Sequence, residues 1–220
     1  MIYFNVATMP DRLDVLTDMI ESIYDQADEI NIYLNNFTSL PFKDKKINQV
    51  IGDNSKGDAG KAFFADRVKG FYFMVDDDLI FPKDYVSNTM KNIYKKDAVT
   101  YHGRNILSKN QITSYYKAEA EKFRCLGAVE KDQRIQVAGT GCACFHTNDI
   151  KVKWENIQNR NMFDLVFSAM VRHQKKRITV LKHEEGFIKY NFKMLDKKTI
   201  YDNYKNNDQI QTEFFNRHFL

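Results

Sequence analysis

The sequence is poor in cysteine, which argues against two classes of small, cross-linked protein. Only three cysteines occur in 220 residues, Cys125, Cys142 and Cys144. An odd number does not fit a framework of paired disulfides, and the one-residue gap between the last two is not the spacing usual in zinc knuckles. We therefore expect buried thiols in strands of the core and a reducing, cytoplasmic compartment.

Long apolar runs and strong net charge are also missing. No stretch of 18 apolar residues occurs, and the short apolar N-terminus soon meets Asp11 and Arg12, so we expect neither a transmembrane span nor a secretory signal. A formal net charge of +4 is compatible with an anionic ligand but too small to indicate nucleic-acid binding by itself. With no repeat and no low-complexity linker, the length predicts a single α/β domain.

Strand and helix patterns alternate along the first hundred residues. Strands are predicted at 2–7, 30–34, 47–51, 71–75 and 97–101, and helices at 13–25, 59–68 and 83–96. This alternation is typical of βαβ units and predicts a mostly parallel sheet flanked by helices. Further along, residues 108–133 are predicted to be irregular or partly helical, 134–146 a strand–turn–strand, 162–173 a helix and 178–181 a strand.

Three consecutive aspartates, Asp76, Asp77 and Asp78, follow the apolar strand at 71–75. Carboxyl ends of parallel strands are where open α/β sheets bind ligands. Crowded carboxylates repel one another and need a cation, and hard oxygen ligands suit Mg²⁺ or Mn²⁺. The alternative is a solvated acidic turn in which an aspartate caps the helix that follows. Because side chains alternate along an extended chain, we expect Asp76 and Asp78 to face a ligand and Asp77 to tolerate substitution best.

Other polar residues follow neighbouring strands. Thr8 and Arg12 follow the first strand and Asp53 follows the third, so a ligand across this edge would meet them together with Asp76. Glycines in the segment 57–61 permit close approach of the backbone, and Lys61 could reach a phosphate. The segment lacks P-loop spacing, and an ordinary loop remains the simpler interpretation.

Candidate catalytic groups come later in the chain. Asp164 begins the predicted helix at 162–173, where it either complements the helix dipole or points into a cleft as a general base. His183, just past the last predicted strand, is a candidate third metal ligand, although a lone histidine is more often a core or surface residue. His102 and His146 lie near strand ends too, and beyond their order along the fold the sequence gives no reason to prefer them over His183.

Taken together, these segments resemble nucleotide-sugar glycosyltransferases of the GT-A fold related to family 2, of the bacterial or phage kind that builds polysaccharides. The matching segments are 7–12, 57–61, the DxD-type 75–78, 137–141, 161–164 and 183–187. The resemblance covers about residues 1–190, which would form the GT-A domain, leaving 191–220 as a C-terminal helical extension. Family 2 often has Glu-Asp at the base position, whereas Phe163 precedes Asp164 here.

The resemblance implies roles for individual residues. Asp164 would be the catalytic base, and Mn²⁺ or Mg²⁺ would be held by Asp76, Asp78 and His183. The nucleotide sugar would be bordered by Thr8, Pro10, Arg12, Asp53, Lys61, Asp76, Gly139 and Thr140. The implied reaction moves a sugar from a nucleoside diphosphate, with UDP favoured, to a hydroxyl of a polysaccharide or glycolipid. Inversion is slightly favoured over retention.

Several alternatives stay open at this point. The acceptor could instead be a modified base in phage DNA, and the chain could be a metal-dependent phosphatase or a non-catalytic nucleotide-sugar binding module. A phosphatase would normally carry its acidic motif on the first strand, whereas the aspartates here follow the fourth. A nucleotidyltransferase, a further alternative, generally has a glycine-rich loop directly after the first strand, and the segment 10–12 contains no glycine. The lysine- and aromatic-rich tail could contact an anionic membrane surface from the cytoplasmic side, but a helix packed on the sheet is favoured.

Overall fold

A computed structural model describes residues 1–194 and 200–220, with no account of the side chain of residue 201. Part of the C-terminal extension expected at 191–220 therefore lies outside the described residues.

Thirteen strands and five α-helices are described. The strands are β1 Ile2–Thr8, β2 Glu29–Asn35, β3 Ile47–Gly52, β4 Phe71–Val75, β5 Leu79–Ile80, β6 Ala98–Thr100, β7 Gly103–Ile106, β8 Ala120–Phe123, β9 Gln133–Ile135, β10 Val137–Ala138, β11 Cys142–His146, β12 Ile178–Val180 and β13 Lys189–Tyr190. The helices are α1 Leu13–Ile23, α2 Tyr85–Ile93, α3 Phe163–His173, α4 Ile200–Tyr204 and α5 Gln209–Phe219.

Eight strands form one central sheet in the order β3-β2-β1-β4-β11-β6-β12-β9. Strands β3, β2, β1 and β4 run parallel to one another, as do β6 and β12, whereas β11 and β9 are antiparallel to their neighbours. The sheet is thus mixed but mostly parallel, and flanked by helices, as the alternating sequence pattern predicts. This is a single-domain α/β arrangement of the Rossmann-like kind.

Both faces of the sheet are buried, which explains the continuous apolar run in β4. Tyr72 and Met74 belong to a core shared with α3 and α5, whereas Phe73 and Val75 belong to a core shared with α1 and α2. Alternate residues of one strand therefore fill opposite layers, as expected when helices cover both faces. None of the helices described over 1–194 and 200–220 is long and apolar enough to span a membrane.

Two segments differ from their predicted secondary structure. In place of a helix at 59–68 the chain forms a 3₁₀ segment, Gly57–Ala62, followed by turns. Gly60 lies so close to the ring of Tyr33 that an added Cβ would overlap it, and this close packing against β2 leaves little room for a regular helix. Within 108–133 we find strand β8 and turns, and no helix, because β8 pairs with β7 in a three-stranded sheet with β10.

The cysteines are buried thiols, as expected. Cys142 and Cys144 lie in β11 and Cys125 in a turn after β8, and none of the three forms a disulfide. In the described part of the tail, α5 packs against α3 and buries Phe215 and Phe219. The packing of this helix agrees with the interpretation of the tail as a helix docked on the core.

Candidate active site

A cavity of about 740 Å³ opens at the carboxyl ends of β1 and β4, a size suited to a small-molecule ligand. It is the place where an open parallel sheet is expected to bind. Seven of the residues proposed from sequence line it: Thr8, Arg12, Lys61, Asp76, Asp78, Thr140 and Asp164. The other four, Pro10, Asp53, Gly139 and His183, do not line it.

The acidic triplet is held by internal cations and a hydroxyl. Arg12 Nη2 lies 2.9 Å from both Asp77 Oδ1 and Asp78 Oδ2, and the Thr8 hydroxyl donates a hydrogen bond of 2.7 Å to Asp77 Oδ2. Arg12 is placed there by the 3₁₀ turn Pro10–Arg12, which begins two residues after the end of β1. Pro10 thus shapes the site although it does not line the cavity.

Asp77 is the most enclosed member of the triplet, which corrects the expectation that it would tolerate substitution best. Its side chain is 2% exposed, whereas that of Asp78 is 18% and that of Asp76 is 45% exposed. Asp77 does differ from its neighbours in direction, as alternation predicted. It points toward Thr8 and Arg12 rather than toward solvent, so it anchors the strand end.

Lys61 is a buried cation paired with Asp76. Its ammonium group forms an ion pair with Asp76 Oδ1, and its side chain is 3% exposed. Burial would lower the pKa of Lys61, but Asp76 and Asp58 outweigh burial and raise it. Burial would likewise raise the pKa of Asp76, and Lys61 instead lowers it. Both groups are therefore charged at neutral pH.

Charge on the remaining carboxylates is only partly compensated. Burial, opposed by Arg12, raises the pKa of Asp77 to about 7. Burial and the neighbouring Asp76 raise the pKa of Asp78 to about 6, again against the pull of Arg12. Three carboxylates thus share two nearby cations, and a further positive charge at this edge would be favourable.

Asp76 and Asp78 offer carboxylate oxygens, which are the ligands that a hard divalent cation requires. Asp76 Oδ2 and Asp78 Oδ1 have no hydrogen bond to any residue within 1–194 or 200–220, so each carboxylate keeps one oxygen for a ligand. Over the same residues, no three His, Cys, Asp or Glu side chains are grouped so as to hold a metal by themselves. Asp76 and Asp78 fit a Mg²⁺ or Mn²⁺ that completes its shell with ligand oxygens and water.

His183 does not join these aspartates. It is buried, with Nδ1 2.7 Å from the carbonyl oxygen of Leu181 and Nε2 3.2 Å from that of Arg124, and its ring contacts Tyr101. Since both nitrogens already meet carbonyl oxygens, the expected third metal ligand is not formed. Of the two alternative histidines considered from sequence, His102 lines the cavity and His146 does not.

Asp164 faces the cavity from the first turn of α3. One of its oxygens, Oδ1, accepts hydrogen bonds from the Thr140 amide at 2.7 Å and from the Thr140 hydroxyl at 2.6 Å. The other oxygen has no hydrogen bond to the residues that the structure describes. A carboxylate oriented through one oxygen and open at the other has the geometry of a general base.

The two remaining predicted residues lie just outside the cavity, beside residues that line it. Asp53 is exposed and accepts a hydrogen bond of 3.0 Å from the Ser55 amide, while the next residue, Asn54, lines the cavity. Gly139 packs against His102, where a side chain would overlap the ring, and its neighbour Thr140 reaches the cavity. Asp53 and Gly139 are thus each adjacent in sequence to a residue that lines the cavity, and of these two neighbours Thr140 was itself predicted and Asn54 was not.

Sequence reasoning missed Asp58 and a group of residues from the irregular middle of the chain. Asp58 Oδ2 accepts a hydrogen bond of 3.1 Å from the Phe163 amide, whereas its buried Oδ1 has no partner among the described residues, and burial raises its pKa to about 7. The missed group also lines the cavity and consists of Arg104, Tyr115, Tyr116, Lys122 and Arg124, and His102, considered from sequence only as an alternative to His183, lines it too. The available signal was the spacing of Lys122, in β8, and Arg124, directly after it, since residues two apart in extended chain face the same side.

Comparisons with known proteins identify only a distant structural likeness. No family model matches this chain, and no curated protein matches it. Among solved structures, it is similar to the crystal structure of A197 from STIV, with a TM-score of 0.45 and 14% identity over 85% of this chain and 82% of that one. So distant a likeness carries no argument about function, which must be argued from the cavity itself.

Proposed function

We propose that this protein is a metal-dependent glycosyltransferase of the GT-A fold that moves a sugar from a nucleoside diphosphate, preferably UDP, to a hydroxyl acceptor. One observation carries the proposal. Asp76 and Asp78 follow β4 and line the same cavity, each with a free oxygen, and the cavity also contains Asp164, whose carboxylate is oriented by Thr140. Two candidate metal-binding carboxylates and an oriented base in one cavity suit displacement at an activated sugar.

Each residue has a defined task in this proposal. Asp76 and Asp78 would hold Mn²⁺ or Mg²⁺, which supplies charge neutralisation for the leaving diphosphate. Arg12 and Lys61 keep the two carboxylates in place and contribute positive charge at the same edge. These contacts are made before any ligand arrives, so the protein would not have to reorganise them during the reaction.

Asp164 would act on the acceptor. Its free oxygen takes the proton of the acceptor hydroxyl while the hydroxyl oxygen of the acceptor bonds to the anomeric carbon. At the same time, the bond between this carbon and the phosphate oxygen breaks. The nucleoside diphosphate leaves with the bonding electrons, and the configuration at the anomeric carbon is inverted. Thr140 keeps Asp164 in the required orientation through Oδ1. A polysaccharide or glycolipid would be the acceptor.

The proposal is tested by donor hydrolysis. UDP-, GDP- and CDP-glucose are incubated with the protein in Mn²⁺ or in chelator, and release of the nucleoside diphosphate is followed. We expect release with one donor, dependent on Mn²⁺ and lost in Asp78→Asn. Asp84→Asn, which changes an exposed aspartate before α2, is the matched control and should keep the activity. Release that is unaffected by chelator or by Asp78→Asn would contradict the proposal.

A further inference from the structure

Three cations line one side of the cavity and form what we call the basic wall: Arg104, Lys122 and Arg124. Arg104 lies in β7 and Lys122 in β8, and Arg124 directly follows β8. The wall is thus built around β7 and β8 of the small three-stranded sheet, whereas Asp76 follows a strand of the central sheet and Asp164 lies in α3. These three cations have no role in the reaction proposed above.

The pairing of the two strands brings like charges together. Arg104 is directly opposite Lys122 in the antiparallel register, and Arg124, two residues beyond Lys122, lies on the same face. Like charges in directly opposite positions destabilise a strand pair. The other face is different, because there Asn105 donates a hydrogen bond of 3.2 Å to Glu121. Repulsion between like charges in the β7–β8 pair therefore lies on the face that lines the cavity, as expected if Arg104 and Lys122 serve to bind a ligand.

Among the residues that the structure describes, no carboxylate forms an ion pair with the basic wall. Arg104, Lys122 and Arg124 form no ion pair with any residue in 1–194 or 200–220, whereas Arg12 and Lys61 in the same cavity are both paired with aspartates. Arg104 instead lies 4.9 Å from the ring centre of Tyr115 and 5.8 Å from that of Tyr116, and both tyrosines also line the cavity. The wall therefore offers uncompensated positive charge beside aromatic surface.

We propose that the basic wall binds the acceptor of the reaction and that this acceptor is an anionic saccharide, one that carries a phosphate or carboxylate group. The inference rests on the proposed transferase function. Residues two apart in a strand are separated by about 7 Å, so the wall matches one or two anionic groups rather than a tract of backbone phosphates. The tyrosines, with apolar rings and polar tips, add a surface for the sugar itself.

The test compares small probes on the full chain. Dissociation constants are measured for glucose 6-phosphate, glucuronate and glucose at matched ionic strength, with and without UDP and Mn²⁺. The variant is Lys122→Gln/Arg124→Gln, whose substitutions are at exposed positions. The control, Lys117→Gln/Lys131→Gln, removes the same charge from exposed residues that do not line the cavity.

We expect glucose 6-phosphate or glucuronate to bind the wild type, and neutral glucose to bind far more weakly. The wall variant should weaken binding of the anionic sugar by about tenfold or more, while the control stays within about twofold. Binding of UDP with Mn²⁺ should be the same in all three proteins.

Several results would overturn the inference. They are equal binding of glucose and glucose 6-phosphate, an unchanged affinity in the wall variant, or an equal loss of UDP affinity, which would assign the wall to the donor. Stronger binding of a short single-stranded DNA, lost in the same variant, would assign it to nucleic acid. Failure of UDP to bind the wild type would contradict the proposed function instead, and the glucose 6-phosphate series would still decide the role of the wall.

Discussion

Thr140 holds one oxygen of Asp164 twice, through its amide at 2.7 Å and its hydroxyl at 2.6 Å. The amide contact comes from the backbone of the turn between β10 and β11, so it survives a change of side chain. The hydroxyl contact does not. The two contacts can therefore be separated by mutation, and the effect of the hydroxyl on a positioned base can be measured.

Thr140→Val should reduce kcat by about tenfold, because a hydrogen bond to a charged group is lost and Asp164 is less well oriented. Asp164→Asn should reduce kcat by about a thousandfold, as expected when a general base is removed. Thr147→Val is the control, since it removes a hydroxyl that accepts a bond of 3.1 Å from Gly70 outside the cavity. Donor hydrolysis or transfer kinetics would check this, and full kcat in Thr140→Val would rule out the positioning role.

Asp77→Ala should destabilise the fold by about 3 kcal/mol, since it removes a buried partner of Arg12 and of the Thr8 hydroxyl. Urea denaturation would measure the change. Asp84→Ala, at an exposed position, should stay within about 0.5 kcal/mol of the wild type. An equally small effect at Asp77 would mean that its contacts add nothing to stability.

Asp58→Asn should change how stability depends on pH. Burial raises the pKa of Asp58 to about 7 in the folded chain, above its value of about 4 in the unfolded chain. The folded state therefore binds more protons between these values, so stability falls as the pH rises from about 4 to 7 and this loss is complete above 7. The variant should be closer to the wild type at pH 5 and more stable than it at pH 8.

Thermal melts at the two pH values would test this prediction. Asp77 has a similarly raised pKa, so the pH dependence should shrink in Asp58→Asn and not vanish. Asp53→Asn, at an exposed carboxyl whose pKa is lowered through its contacts with Ser55, should not reproduce the effect. If wild type and Asp58→Asn gave parallel curves, Asp58 would not be the buried group that titrates.

Gly141→Ala should weaken metal-dependent nucleotide binding without unfolding the protein. A methyl group at this position would overlap the carboxylate of Asp76, which would have to move away from Lys61. Gly127→Ala is the matched control, because the nearest atom to its added Cβ is 3.7 Å away. Calorimetric titration of UDP with Mn²⁺ would show the difference, and equal affinities would mean that the position of Asp76 is unimportant.

Much of the fold follows from local patterns in the sequence. The run Phe71–Val75 is apolar on both faces, as expected of a strand between two layers of helices, and β1 and β2 are likewise buried on both faces. The edge strand β3 is only partly buried, and Asn48 and Gln49 interrupt its apolar residues. The helix expected over 59–68 failed because packing against Tyr33 overrides the local preference of an alanine- and lysine-containing segment. Short strands such as β8 are specified by their partners and have little pattern of their own.

The sequence predicted the part of the candidate site that lies at the ends of strands of the central sheet. Thr8 ends β1 and Asp76 directly follows β4, with Arg12 and Asp78 a few residues further along the chain, so the parallel pairing of β1 with β4 brings these residues together. The basic wall comes from residues far apart in sequence and joined only by the β7–β8 pairing, which no local pattern announces. The prediction of His183 as a third metal ligand rested on its position just after β12, near a strand end. In the structure its two ring nitrogens contact carbonyl oxygens instead, which the position in the sequence does not indicate.

The most direct test of the central claim is a calorimetric titration of UDP into the protein with and without Mn²⁺, for the wild type and for Asp78→Asn. We expect binding that needs Mn²⁺ and is weakened at least about a hundredfold in the variant, because a carboxylate ligand of the metal is lost. UDP that binds equally well without metal, or equally well to Asp78→Asn, would contradict a metal-bridged nucleotide at the end of β4.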